Sequence, residues 1–127
     1  MNILLDSFAI IELMKGSEAG AKVKQIYQEA TEAFTTSANI YEIKYRLEEI
    51  AGPKAAENAI DETLLSVTSI PIDDKIALEA GALKKKLAGR GMGAIDLFVL
   101  AAARQKGLKI VSGDPHFKGM PDVEYLE

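Results

Sequence analysis

Apolar and polar positions along this chain alternate between short continuous runs and longer stretches with helical spacing. Residues 2–5 (NILL) form an apolar run that reads as a buried strand ending at Asp6, and residues 7–14 are apolar enough for a short helix that Gly16 breaks. From Val23 onward Ile26, Tyr27 and Ala30 recur at helical spacing, and residues 33–36 are a short β-prone run. Ser37 or Asn39 can cap the next helix, whose Ile40, Ile43, Leu47 and Ile50 form one face. Gly52-Pro53 ends that helix and starts another, with Ala56, Ala59, Ile60 and Leu64 on its inner stripe. Residues 66–72 are β-prone, with Pro71 marking a strand end or an edge. Asp73 caps a helix that turns Ile76, Ala80, Leu83 and Leu87 inward and Lys84, Lys85 and Lys86 mostly outward, and Gly89-Arg90-Gly91 reads as a flexible joint. Residues 92–103 are then almost wholly apolar, with Asp96 the only charge. Gly107 stops that helix after Arg104 and Lys106, cations suited to its last turn. Residues 109–112 predict a strand, Gly113-Asp114-Pro115 a turn, and residues 123–126 a last strand.

Strands alternating with helices imply a parallel sheet covered on both faces, and such sheets bind ligands beyond the carboxyl ends of their strands. The length of 127 residues suits one domain, residues 1–127, with a core of its own. A composition 48% hydrophobic and 27% charged is that of an ordinary globule. Without cysteine there is no disulfide framework or thiolate metal site, and a single histidine excludes a multi-histidine zinc centre. No run reaches membrane-spanning length and no basic region precedes a long apolar one at the start, so a cytoplasmic location without membrane contact is expected. The net charge of −4 does not advertise nucleic-acid binding, although clustered acids that hold divalent cations would account for its sign.

The acids carry the chemistry. Asp6 follows the first strand and Asp114 follows the strand at 109–112, so both lie at carboxyl ends. Glu42 lies near the start of the helix after the second strand, and Asp96 in the first turn of its own helix, which would bring four carboxylates from separate segments to one edge. Two like charges about 4 Å apart repel by roughly 4 kcal/mol at an effective dielectric of about 20. Such a cluster needs protons or divalent cations, and oxygen ligands select Mg²⁺ or Mn²⁺ over Zn²⁺. Taken singly, each residue has a plainer reading. Asp6 could be a helix cap, Glu42 could pair with Arg46, Asp114 could be a turn residue before Pro115, and Ser7, Ser112 and Asn39 could be capping groups. Asp96 is hardest to dismiss, because Val99 and Leu100 occupy the positions where a basic partner would sit. His116 is adjacent to the acids in sequence, but a lone loop histidine is read as structural.

The segments LLDSFAII, TTSANIYEI and GAIDLFVLAAARQKGLKIVSGDPHF, taken in that order, resemble a PIN domain, and more narrowly a VapC-type toxin of prokaryotic toxin–antitoxin systems. The resemblance implies a three-layer α/β/α sandwich around a central parallel five-stranded sheet and Mg²⁺- or Mn²⁺-dependent endoribonuclease activity on RNA. It further implies a homodimer and a small VapB-like antitoxin as partner. Asp6, Glu42, Asp96 and Asp114 fall on the family's acidic positions, and Ser7 and Ser112 on its Ser/Thr positions near the metal. Many relatives carry a further acid where this chain has His116.

The expected reaction is therefore metal-assisted hydrolysis of an RNA phosphodiester. Asp6, Asp96 and Asp114 would bind the metal, with Glu42 helping to bind or orient it, and no covalent enzyme intermediate would form. Lys15, Lys44, Arg46, Lys84, Lys85, Arg90 and Lys118 are the candidates for strand contacts. A groove around Leu13, Tyr41 and Tyr45 is the expected antitoxin seat. The rival reading is a catalytically inactive module that binds RNA or protein. A receiver or aspartyl phosphatase fits poorly, since the latter wants a second Asp where Phe8 stands.

Overall fold

The computed structural model describes all of residues 1–127. Five strands form one sheet: β1 (Asn2–Leu5), β2 (Glu32–Thr36), β3 (Thr68–Ile70), β4 (Lys109–Ser112) and β5 (Val123–Tyr125). Their order is β3-β2-β1-β4-β5, and every neighbouring pair is parallel. Six α-helices cover it: α1 (Ser7–Lys15), α2 (Glu18–Glu29), α3 (Ser37–Ala51), α4 (Pro53–Ser66), α5 (Asp74–Lys86) and α6 (Ala94–Lys106). This is the expected three-layer arrangement. No helix is long and apolar enough to cross a membrane.

The period-two alternation of β1 and β4 divides the interior in two. Leu4 and Ile110 point to one face, where α5 and α6 pack with Phe117, Met120 and Val123. Ile3, Leu5 and Val111 point to the other, against α1, α2, α3 and α4. The first two crossovers build outward from β1 to β2 and β3, and the chain then returns to lay β4 on the opposite side of β1. The carboxyl ends of β1 and β4 are thus neighbours at the point where the strand order reverses, the place where open α/β sheets bind ligands.

Several boundaries differ from expectation. Helix α2 begins at Glu18, capped by Ser17, earlier than expected because its first turn, Glu18-Ala19-Gly20-Ala21, has no large apolar side chain to signal it. The cap of α3 is Thr36, with Asn39 closing a reciprocal capping box, so neither Ser37 nor Asn39 is the cap itself. Ile50 and Leu64 leave their helices towards solvent, 62% and 44% exposed, where an inner stripe was expected. Residues 66–72 yield only the three-residue β3, with Ser66 still in α4. The joint at residues 89–91 is ordered: Ala88–Arg90 form a 3₁₀ turn, and the Arg90 guanidinium donates to the carbonyls of His116 and Lys118 at 2.9 and 2.7 Å.

Candidate active site

Asp6 leaves β1 in extended conformation and caps α1, its Oδ1 accepting from the Ala9 amide at 3.0 Å. Its Oδ2 accepts from the hydroxyl of Ser112, the last residue of β4. That hydroxyl in turn accepts from the Asp114 amide at 3.0 Å, so one serine joins the ends of the two central strands to the loop that follows. Gly113 between them has no side chain because a Cβ there would drive into the Phe8 ring. Asp6 is only 5% exposed, and its carboxyl is pushed up from the ordinary 3.8 to about 7. Burial is the main cause, with the charges of Asp114 and Asp96 adding to it and the Ser112 and Ala9 bonds opposing it.

Asp96 arrives from the other direction, in the first turn of α6, where the helix dipole favours an anion. Its carboxyl is also raised, by burial first and then by Asp114, with His116 opposing. Glu42 of α3 contributes to the same field at Asp96. The Glu42–Arg46 pair considered above does not form; the ion pair on this stretch of α3 is Lys44–Glu48. Asp114 caps a short 3₁₀ turn, Pro115–Phe117, accepting from the His116 amide at 2.9 Å. That turn brings the His116 Nδ1 to 3.1 Å from Asp96 Oδ2 and 3.2 Å from Asp114 Oδ1. Donor atoms of Asp96, Asp114 and His116 all lie within 4.8 Å of one another.

The carboxylates of Asp6, Asp96 and Asp114 therefore share one electrostatic site, and His116 joins it. The loop side chain read as structural faces the acids directly. The signals for it were that it is the single histidine, that it stands two residues after Asp114, and that the resemblance places it where many relatives carry a further acid. A second missed group is the buried network beside the site. Thr36 Oγ1 donates to Asn39 Oδ1 at 2.7 Å, and Asn39 Nδ2 donates to Ser7 Oγ at 2.9 Å, tying the start of α3 to the start of α1. Ser7 is thus a partner of Asn39, whereas Ser112 is the serine that touches an acid.

The basic residues are mostly occupied. Lys15 pairs with Glu12 at 3.1 Å, Lys44 with Glu48, and Lys84 donates to the Met92 carbonyl at 3.3 Å. Arg90, expected to be free for a nucleic acid, is spent on the loop carbonyls. Lys118 is loosely placed, 3.9 Å from Glu127 and 5.8 Å from the centre of the Tyr125 ring. An apolar groove of about 620 Å³ runs along Leu13, Met14, Tyr27 and Ala59. Tyr41 and Tyr45 pack against each other on α3 and do not line it, whereas Leu13 does.

Three acidic groups from separate segments meet at the switch point of a five-stranded parallel sheet, in an α/β domain whose clustered donors could hold a cation. The PIN domain profile matches residues 3–123, and the chain belongs to the PIN domain family. Among solved structures it is similar to VapBC2 from Rickettsia felis bound to a DNA fragment from its promoter, with TM-score 0.78 and 17% identity over 100% of both chains. It is also similar to a toxin–antitoxin complex from Klebsiella pneumoniae, with TM-score 0.77 and 19% identity over 98% of both chains. A third likeness is VapC20 of Mycobacterium tuberculosis, a sarcin–ricin loop cleaving toxin, with TM-score 0.72 and 19% identity over 84% of this chain and 85% of that one. At these identities the likeness is one of fold. None of the curated proteins matches the chain.

The donor set suits a hard or borderline divalent cation. It offers carboxylate oxygens and one imidazole, it has no thiolate, and two of its acids, Asp6 and Asp96, are raised by burial first and by neighbouring carboxylates second.

Proposed function

We propose that this PIN domain is a metal-dependent endoribonuclease, the toxin of a VapBC-type toxin–antitoxin pair. The observation that carries the reading is the convergence of Asp6, Asp96 and Asp114, close enough that each of the last two raises the carboxyl of the first. Asp6, Asp96 and Asp114 would hold an Mg²⁺ or Mn²⁺ ion, with Glu42 adding negative charge and orienting what the ion binds. The chemistry such an ion supplies is polarisation of a phosphodiester and activation of water for its hydrolysis. The chain's own contribution is placement. Ser112 fixes the Asp6 carboxyl and the Asp114 amide together, and the Asn39–Ser7 bond holds the helix that carries Glu42 against α1. These rigid supports keep the acids from spreading apart to relieve their repulsion.

RNA as substrate is supported by the family and by the activity stated for the M. tuberculosis structure. Arg46, Lys85 and Lys118 are the contacts least committed elsewhere, and Lys15 and Lys44 would have to exchange Glu12 and Glu48 for phosphates. An antitoxin partner is supported by the toxin–antitoxin assemblies among the similar structures and by the apolar groove beside α1. A homodimer is supported by the family resemblance and by the exposed Tyr41, Tyr45 and Ile50 of α3.

The test is Asp96→Asn, assayed for Mn²⁺-dependent cleavage of RNA and for toxicity on expression in bacteria. Cleavage should fall by more than about 100-fold and toxicity should disappear, while the circular dichroism spectrum and cooperative melting persist. Undiminished cleavage would remove Asp96 from the mechanism. One observation favours the rival, a non-catalytic module that binds RNA or protein: His116 Nδ1 stands 3.1 and 3.2 Å from Asp96 and Asp114, where an imidazolium would offset one of their two negative charges without a metal. Millimolar Mn²⁺ that leaves the melting temperature unmoved would support that rival.

A further inference from the structure

His116 is held more firmly than a surface loop residue needs to be. Its amide is bound by Asp114 and its carbonyl by Arg90, and the next residue, Phe117, is completely buried in the core. These anchors place the ring with Nδ1 inward, although the side chain as a whole is 46% exposed. Nδ1 lies almost equally far from two carboxylate oxygens, 3.1 Å from Asp96 and 3.2 Å from Asp114. A single N–H shared between two acceptors makes two bent bonds, each weaker than one aligned bond. The same spacing has a better use. Ligands on adjacent corners of an octahedron with bonds of about 2.1 Å stand about 3.0 Å apart.

Resting on the metal-dependent reading above, we propose that His116 is a nitrogen ligand of the same cation, and that it turns the site's preference from Mg²⁺ towards first-row transition ions such as Mn²⁺ and Co²⁺. Mg²⁺ favours oxygen donors at a fixed octahedral radius, whereas imidazole binds the transition ions in the order of their intrinsic affinities. A carboxylate at position 116 would complete an all-oxygen set; the imidazole breaks it. The chain has one histidine and no cysteine, so any nitrogen signal from a side-chain imidazole at the bound ion has a single source.

The experiment uses the full chain without an affinity tag. Mg²⁺, Mn²⁺ and Co²⁺ are titrated calorimetrically into the unaltered protein, His116→Asp and His116→Ala, and the Mn²⁺ complexes are examined by pulsed electron paramagnetic resonance for ¹⁴N coupling. The unaltered protein should show imidazole coupling that both variants lack. The ratio of Co²⁺ to Mg²⁺ affinity should fall by about 10-fold or more in His116→Asp, with Mg²⁺ binding kept or strengthened. Mn²⁺ bound without ¹⁴N coupling, or an affinity ratio unchanged in His116→Asp, would overturn this proposal and leave the nuclease reading standing. Absence of binding by any of the three ions to the unaltered protein would overturn both. Should a variant fail to fold, the coupling in the unaltered protein still decides.

Discussion

At the scale of single residues, Asp6 has opposing demands on one carboxyl. One oxygen caps α1 and the other accepts from Ser112, both of which favour the charged form, while burial and two neighbouring acids favour the neutral one. The balance lies with the neutral form, since the group is raised from 3.8 to about 7. Between those values the folded protein keeps a proton that the unfolded chain has released, so the ion-free fold must lose stability as pH rises. Asp96 is raised too and adds in the same direction, and Glu12, which is lowered, acts only below its ordinary 4.5. In chelator, the melting temperature should therefore fall from about pH 5 to about pH 7.5, by an amount equivalent to a few kcal/mol at most. Asp6→Asn should flatten the fall and Mn²⁺ should reverse it at the upper end. A melting temperature that climbs across this range would contradict the crowding of these acids. Asp96 was legible as the one charge in an apolar stretch, where desolvation needs a reason. His116 was not, because the direction of its ring depends on Arg90, 26 residues earlier, and on the Asp114 cap. No local pattern encodes that contact.

At the scale of elements, the pattern of apolar positions identified the strands and helices because the helices bury one face and the central strands both, and it failed where a segment buries little. The first turn of α2, with only small residues after Glu18, is one case and the outward Ile50 and Leu64 at their helix margins are others. A closer contact was invisible for a different reason. In α2, Gly20 lies against the backbone of α1, and a Cβ there would drive into the carbonyl of Glu12. The glycine looks like a flaw in a helix until the neighbouring helix is in place. Gly20→Ala should cost about 1–3 kcal/mol despite the better helix propensity of alanine. Gly81, exposed within α5, has open space where the Cβ would go, so Gly81→Ala should gain about 0.5–1 kcal/mol. Urea denaturation of the two variants checks both signs. Gains of similar size would mean that α1 and α2 do not touch at Gly20, and Asp6, which caps α1, would be less rigidly held than argued above.

At the scale of the whole molecule, the topology was readable because every strand is parallel. The acids following β1 and β4 had to emerge on one edge, and only the strand order was needed to make them neighbours. The charge distribution was less readable, since a count of lysines and arginines does not say which are already engaged. The chain carries 15 basic and 19 acidic side chains. Of the candidates for RNA contact, Arg90 and Lys84 are bound to carbonyls and Lys15 and Lys44 to glutamates. That leaves Arg46, Lys85 and the loosely paired Lys118 to meet phosphates at little cost. On this surface the affinity for single-stranded RNA should depend weakly on salt, with a logarithmic slope of about −2, as expected for about three neutralised phosphates. The measurement is best made with Asp96→Asn at constant Mn²⁺, so that cleavage does not intervene and only monovalent salt varies. A slope of about −5 or steeper would require more cation than this surface has free. The extra charge would then have to come from lysines outside the candidate set, such as Lys24, Lys75, Lys86 and Lys106, from a second copy of the chain or from rearranged lysines, and the electrostatic argument for a substrate held mainly through the acidic site and its ion would fail.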